Sequence, residues 1–205
     1  MFQEKFEGNS RKTTALSQKV KRNFINTFWN EAQNCLYDYI DLNGMANEDL
    51  RPNQIYAVYL PFSMLEPSEA KAVVNKVFEE LYTSYGLRSL AVFDKKYKGK
   101  YEGDRIERDK RYHQGTAWGY LIGAFVTSYL KVYNSSMEAL LRASFMIEPF
   151  VKHMEDSACI GSISEIFDGD APYLPKGCFA QAWSVAEILR CYVEDIKGQK
   201  PTLMI

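Results

Sequence analysis

Apolar residues in this chain return at helical spacing again and again, and they do so in two alternating styles. In the first style one face alone is apolar. Residues 15–32 place Leu16, Val20, Phe24 and Phe28 on a single stripe, and residues 67–85 do the same with Ala70, Val73, Val74, Val77, Phe78, Leu81, Tyr82 and Tyr85. A third such helix begins at Met137, behind the capping candidates Ser135 and Ser136, with the stripe Leu140, Leu141, Ser144, Ile147, Val151 and Met154. In the second style, over residues 53–60, 115–132 and 179–194, the segment is apolar around most of its circumference. An outer helix needs one dry face, whereas an inner helix needs several. The strict order outer, inner, outer, inner, outer, inner predicts α-hairpins set around a common axis. Pro67 suits a first helical turn, Gly86 a helix stop, and Pro149 a kink or break. Residues 1–205 read as one all-α unit.

Several function classes drop out on composition. The 25 Lys and Arg residues against 26 Asp and Glu leave a formal charge of −1, without the basic stripe of a nucleic-acid binder. Tyr112 to Leu130 carries no formal charge, yet it holds His113, Gln114, Thr116, Thr127 and Ser128. That mixture fits a helix buried in protein better than a membrane span. Cys35, Cys159, Cys178 and Cys191 show no paired spacing, and the first residues hold no apolar run of secretory type. The expectation is reduced thiols in a cytoplasmic protein. Neither His113 nor His153 stands with a second ligand at metal spacing, and no glycine pattern forms a nucleotide cradle. No metal or cofactor is expected. The mixed-sign run from Asp94 to Arg111 reads as a solvated loop.

Loop lengths locate the chemistry. The connections before the inner helices, Cys35–Pro52, Gly86–Tyr112 and Asp156–Cys178, are long, and those after them are short. Loops beyond about 12–15 residues without structure of their own usually serve function or are disordered. Hairpins sharing an axis would bring all three long loops to one end, above the inner helices. Arg51, Asn53, Gln54, Arg88, Tyr112, His113, Gln114, Trp118, Gln181 and Trp183 fall there. Aromatic planes mixed with directional polar groups suit a sugar, which offers apolar C–H faces and a rim of hydroxyls. The same groups also suffice to satisfy one another and knit the loops together. Glu165, between Gly161 and the Asp168-Gly169-Asp170 turn, is the carboxylate placed to deprotonate water as a general base. Asp168 and Asp170 read as turn formers.

These clusters resemble the C-terminal glucosidase domain of glycogen debranching enzymes, the amylo-α-1,6-glucosidases. The resemblance rests on RPNQIYAVYLP, GLRSL, YEGDRIERDKRYHQGTAWGYLIGAF, GSISEIFDGDAPYLPKGCFAQAWSVAEILR and FWNEAQNCLYDYID, in the family's order over most of residues 28–190. It implies an (α/α)6 toroid of alternating inner and outer helices. It also implies inverting, cofactor-free hydrolysis of an α-1,6-linked glucose on glycogen or a malto-oligosaccharide branch. Glu165 falls at the family's general base, and the ten residues named above fall in segments lining the sugar pocket.

One departure shapes the expectation. The family's acid carboxylate lies in an earlier segment with a WxxRD-type motif, which this sequence lacks. Arg108-Asp109 has a similar look but belongs to the segment leading into Tyr112-His113-Gln114. The chain therefore reads as about half of a toroid, the C-terminal half, whose N-terminal half is its natural partner. Alone it should be inactive and prone to self-association through uncovered apolar faces. The alternatives are another (α/α)6 glycosidase, trehalase-like or mannosidase-like, and a non-catalytic glycan-binding or assembly module.

Overall fold

The computed structural model describes residues 10–199. The first nine residues, read above for a targeting signal, lie outside the described residues. Seven α-helices are present among those described: α1 Ser10–Phe28, α2 Ile55–Tyr59, α3 Pro67–Glu80, α4 Arg105–Asp109, α5 Leu121–Val132, α6 Met137–Asp156 and α7 Ala182–Arg190. The last runs into a π-helical turn, Cys191–Ile196. No described helix is long and apolar enough to cross a membrane.

Helix α5 is the centre. Nine of its twelve residues are buried, and it packs against α2, α3, α6 and α7. Its all-round apolar sequence has this physical meaning: every face meets another helix. Helix α3 lies beside it and turns Val73, Val74 and Val77 inward, each fully buried. Each such side chain contributes on the order of 1.5–3 kcal/mol relative to exposure. Pro67 opens α3 as expected, and Glu66 and Glu69 form a reciprocal capping box. Ser136 caps α6 by accepting the Ala139 N–H at 3.3 Å.

The architecture is not purely helical. Five short strands, β3 Tyr82–Thr83, β4 Gly86–Arg88, β5 Ala117–Trp118, β6 Ile166–Phe167 and β7 Pro175–Lys176, form one antiparallel meander in chain order. A separate pair, β1 Trp29–Asn30 with β2 Cys35–Leu36, makes a two-stranded ribbon. The meander runs through the loops after α3, before α5 and after α6. Where these loops are buried, around β4, β5 and β6, backbone N–H and C=O groups must find partners, and a ladder supplies them. Strands of two or three residues leave too short an alternation to read from sequence.

Other expectations also change. Helix α6 continues through Pro149. Phe145, whose carbonyl loses its partner there, is exposed, so water can take that bond. The buried face of α6 is Ala139, Ala143, Met146, Ile147, Phe150 and His153. It is rotated from the predicted stripe, leaving Leu141 57% exposed and Val151 outward. Helix α7 is not an enclosed inner helix, since it buries Ser184 and Ile188 while Leu189 is 59% exposed. The N-terminal part of the α1 stripe is likewise open, with Leu16 60% exposed. Cys35 and Cys191 are buried free thiols, the latter pushed up to about 12 by burial, whereas Cys178 is exposed. The run from Asp94 is also not simply solvated: Tyr97 donates to the Asp170 carboxylate at 2.8 Å, and the Tyr101 N–H to the Asp168 carboxylate at 2.7 Å.

Gly86 does not stop a helix, because α3 has already ended at Glu80. It opens β4 with φ +124, and a Cβ there would stand 2.2 Å from the Trp118 carbonyl oxygen. Gly86→Ala should therefore strain both β4 and β5. Chemical denaturation should register a loss of at least about 2 kcal/mol, the scale of a residue forced into a disfavoured backbone region.

Candidate active site

Strand β5 lies in the middle of the meander and sets Trp118 almost fully inside. The turn preceding it carries Tyr112 and His113. The His113 ring lies parallel to the Trp118 indole, 3° apart in plane and 5.1 Å between centroids. The Tyr112 ring stands edge-on to both, at 4.8 Å. Across the gap Tyr120 stacks on Trp183 at 4.7 Å. His113, Trp118, Tyr120 and Trp183, with Arg51 and Asn53 at the rim, line a cavity of about 360 Å³. Trp183 is 46% exposed. No carboxylate is among the described residues lining this cavity.

Glu165 stands behind Tyr112. Its backbone N–H donates to the Cys178 carbonyl at 2.9 Å, and the Cys178 N–H returns a bond to Glu165 Oε2 at 3.1 Å. The Tyr112 hydroxyl donates to Oε1 at 2.6 Å, and Gln181 Nε2 reaches the same oxygen at 3.3 Å. A carboxylate oxygen has about two lone-pair sites. Oε1 is thereby filled, and Oε2 keeps one site open. Gly177, at φ +67, guards that opening, since a Cβ there would approach Oε2 to 2.5 Å. Burial, the bond to Glu165 and the Glu165 charge all push the Tyr112 phenol upward, so it stays a protonated donor. Burial and the Arg51 cation hold His113 below the ordinary imidazole range, against the opposing pull of Glu165. His113 is therefore neutral at neutral pH.

The ten predicted sugar contacts sort into three kinds. Arg51, Asn53, His113, Trp118 and Trp183 line the aromatic cavity. Tyr112 and Gln181 hold Glu165. Gln54, Arg88 and Gln114 are engaged with protein. Gln54 accepts the Leu36 N–H and donates to the Arg51 carbonyl. Arg88 donates to the carbonyls of Gly169 and Tyr82, and Gln114 accepts from Arg51. Arg51 is itself a fastener. Its guanidinium donates to the carbonyls of Ser89 and His113 and to Asp49 and Gln114, and lies 3.4 Å from Asp38. Tyr120 was not anticipated, although it stands only two residues beyond Trp118. Asp109 lies on the exposed face of α4, and Asp168 is buried on the Tyr101 amide and near Lys176. No group of three or more metal-ligating side chains stands together among the described residues.

A family model described as amylo-alpha-1,6-glucosidase matches residues 1–190. The chain belongs to the amylo-alpha-1,6-glucosidase family. That match covers every element from α1 to α7, and with them both the aromatic cavity and the Glu165 cluster. It places the chain with the glycoside hydrolase-related domains of glycogen debranching enzymes.

Because Arg51 is tied to five protein groups, its removal from this amylo-alpha-1,6-glucosidase domain should act on stability first. Arg51→Ala takes the cation from Asp38, leaves Asp49 to Lys96 alone, and removes a donor from the carbonyls of Ser89 and His113. Thermal or denaturant unfolding should show a loss of about 3 kcal/mol or more, the scale for breaking a largely buried ion pair. A fully stable Arg51→Ala protein would return Arg51 to a ligand-binding role.

Proposed function

We propose that this chain is the C-terminal part of a debranching-enzyme glucosidase domain, with residues 1–205 forming one unit equivalent to about half of an (α/α)6 toroid. The complete domain hydrolyses the α-1,6-linked glucose of glycogen or malto-oligosaccharide branches with inversion, in the cytoplasm and without a cofactor, and the chain alone is inactive. The observation that carries this reading is the Glu165 carboxylate, fixed by three donors with one lone-pair site open, beside an aromatic cavity in a chain of this family.

The chemistry follows from that arrangement. The open site on Glu165 Oε2 takes a proton from water as the water oxygen bonds to the anomeric carbon. The bond from that carbon to the branch oxygen breaks, and an acid delivers a proton to the leaving oxygen. In inverting enzymes the two carboxyls stand about 6.5–9.5 Å apart to admit the water. The aromatic faces of Trp183 and Trp118 receive the C–H faces of glucose, and Asn53 meets its hydroxyls while Arg51 holds the surrounding loops in place. The acid comes from the N-terminal half of the domain, which docks on the open sides of α1 and α7. Exposed Leu16, Val20 and Leu189 support that surface. Without the partner half, the same faces drive self-association.

The cavity lined by aromatics but by no carboxylate also fits a glycan-binding module without catalysis. One experiment separates the readings. In the complete domain, Glu165→Gln keeps shape and hydrogen bonding while removing the basic site. Turnover on a branched malto-oligosaccharide should fall about 10²–10⁴-fold with sugar affinity retained. Unchanged turnover would sink the general-base assignment. The 205-residue chain alone should bind malto-oligosaccharide with a change in Trp fluorescence yet release no glucose. It should elute above monomer mass in light scattering until the N-terminal half is added.

A further inference from the structure

His153 carries a part in the site that its position on an outer helix conceals. It is 2% exposed, on the inward face of α6, boxed by the rings of Phe167 at 5.1 Å and Tyr85 at 6.1 Å. Its Nε2 lies 3.3 Å from both the backbone nitrogen and the hydroxyl of Ser164. A backbone N–H can only donate, so Nε2 must hold a lone pair there, which fixes the ring as neutral with its proton on Nδ1.

Ser164 is the residue immediately before Glu165, and the anchors of this short segment are almost all main chain. The Ile163 carbonyl accepts the Gln181 N–H at 2.8 Å, the Glu165 N–H donates to Cys178, and the Glu165 carbonyl accepts the Gly119 N–H at 3.4 Å. The Ser164 N–H is the exception, because it ends on a side chain. We infer that neutral His153 is a positioning residue: through the Ser164 amide it fixes the backbone from which the Glu165 carboxylate projects. This rests on the reading of Glu165 as the base.

Protonation would cancel the arrangement, for an imidazolium presents N–H to N–H. Burial pulls His153 below the ordinary imidazole value, and Asp156 on its own helix opposes that pull. From the other elements packed on it, Tyr85 is the titratable side chain and Ser164 and Phe167 are uncharged. A depressed folded-state value gives the sign. The contribution of His153 is complete above the unfolded value of about 6.5 and is lost as pH falls from there through the folded value.

The test uses two variants. His153→Phe keeps an aromatic of similar bulk without an acceptor, and His153→Gln returns an oxygen near the Nε2 position. Hydrogen exchange followed by NMR on this chain should show protection at the Ser164 and Glu165 amides falling tenfold or more in His153→Phe. The α5 amides should hold, and His153→Gln should recover most of the loss. Wild-type protection at Ser164 should decline from about pH 7 to about pH 5, while that of His153→Gln stays flat. In the complete domain, His153→Phe should lower kcat about tenfold with KM little changed. Loss spread evenly over α5, no rescue by Gln, a pH-independent wild type, or an unchanged kcat in His153→Phe would each overturn the inference. Glu165→Gln run alongside separates the two claims. If that variant retains turnover, the base reading falls, and the exchange data alone decide whether His153 fixes the segment.

Discussion

Backbone groups that leave water have to be paired, and the end of the molecule bearing the site is built around that requirement. In the segments after α3, before α5 and after α6, the stretches that carry β4, β5 and β6 are largely buried and not helical. Five strands of two or three residues resolve the problem by laddering onto one another, in register from Tyr82 opposite Leu87 to Phe167 opposite Pro175. Trp118 and Glu165 owe their places to this ladder, since one lies in β5 and the other directly precedes β6. Arg51 adds a second fastener by drawing the carbonyls of Ser89 and His113 toward the start of α2.

The polar residues at this end divide their work in a way that residue type does not disclose. Gln54, Arg88 and Gln114 are satisfied by protein, whereas Tyr112 and Gln181 aim their donors at one carboxylate oxygen. Donors directed at one oxygen orient the carboxylate. Both donors end on Oε1, whereas Oε2 takes only the Cys178 N–H. The aromatic cavity beside it offers flat faces and few charges.

Much of the helical frame was legible in the sequence. The α3 stripe, its Pro67 start, the Ser136 cap and the enclosed α5 all follow from period and end signals that act locally. The misreadings share one cause. On α6 the predicted stripe followed the bulkier apolar residues, Leu141 and Val151, yet the buried face is made by two alanines, Met146, Ile147, Phe150 and His153. Small side chains bury easily where helices approach closely, and a histidine buries when it has a partner; neither weighs much in a hydropathy pattern. For α7 the apolar residues were read as enclosure, but enclosure depends on neighbours, and the described residues supply them on one side only.

Sequence alone determined the long helical stretches, the enclosure of α5, and which segments carry Tyr112, His113, Glu165 and Trp183, because those properties depend on residues a few positions apart. It also supplied the motifs by which the family was recognised. Tertiary structure decided the rest. It paired the strand fragments, turned Arg51 from a rim residue into a fastener, set Tyr112 and Gln181 on Oε1, and brought His153 to the Ser164 amide. The physical reason is distance along the chain: Tyr112 and Glu165 are 53 positions apart, and Arg51 and Gln114 are 63. A hydrogen bond requires its two atoms within about 3 Å, and only the packed helices bring such remote groups that close.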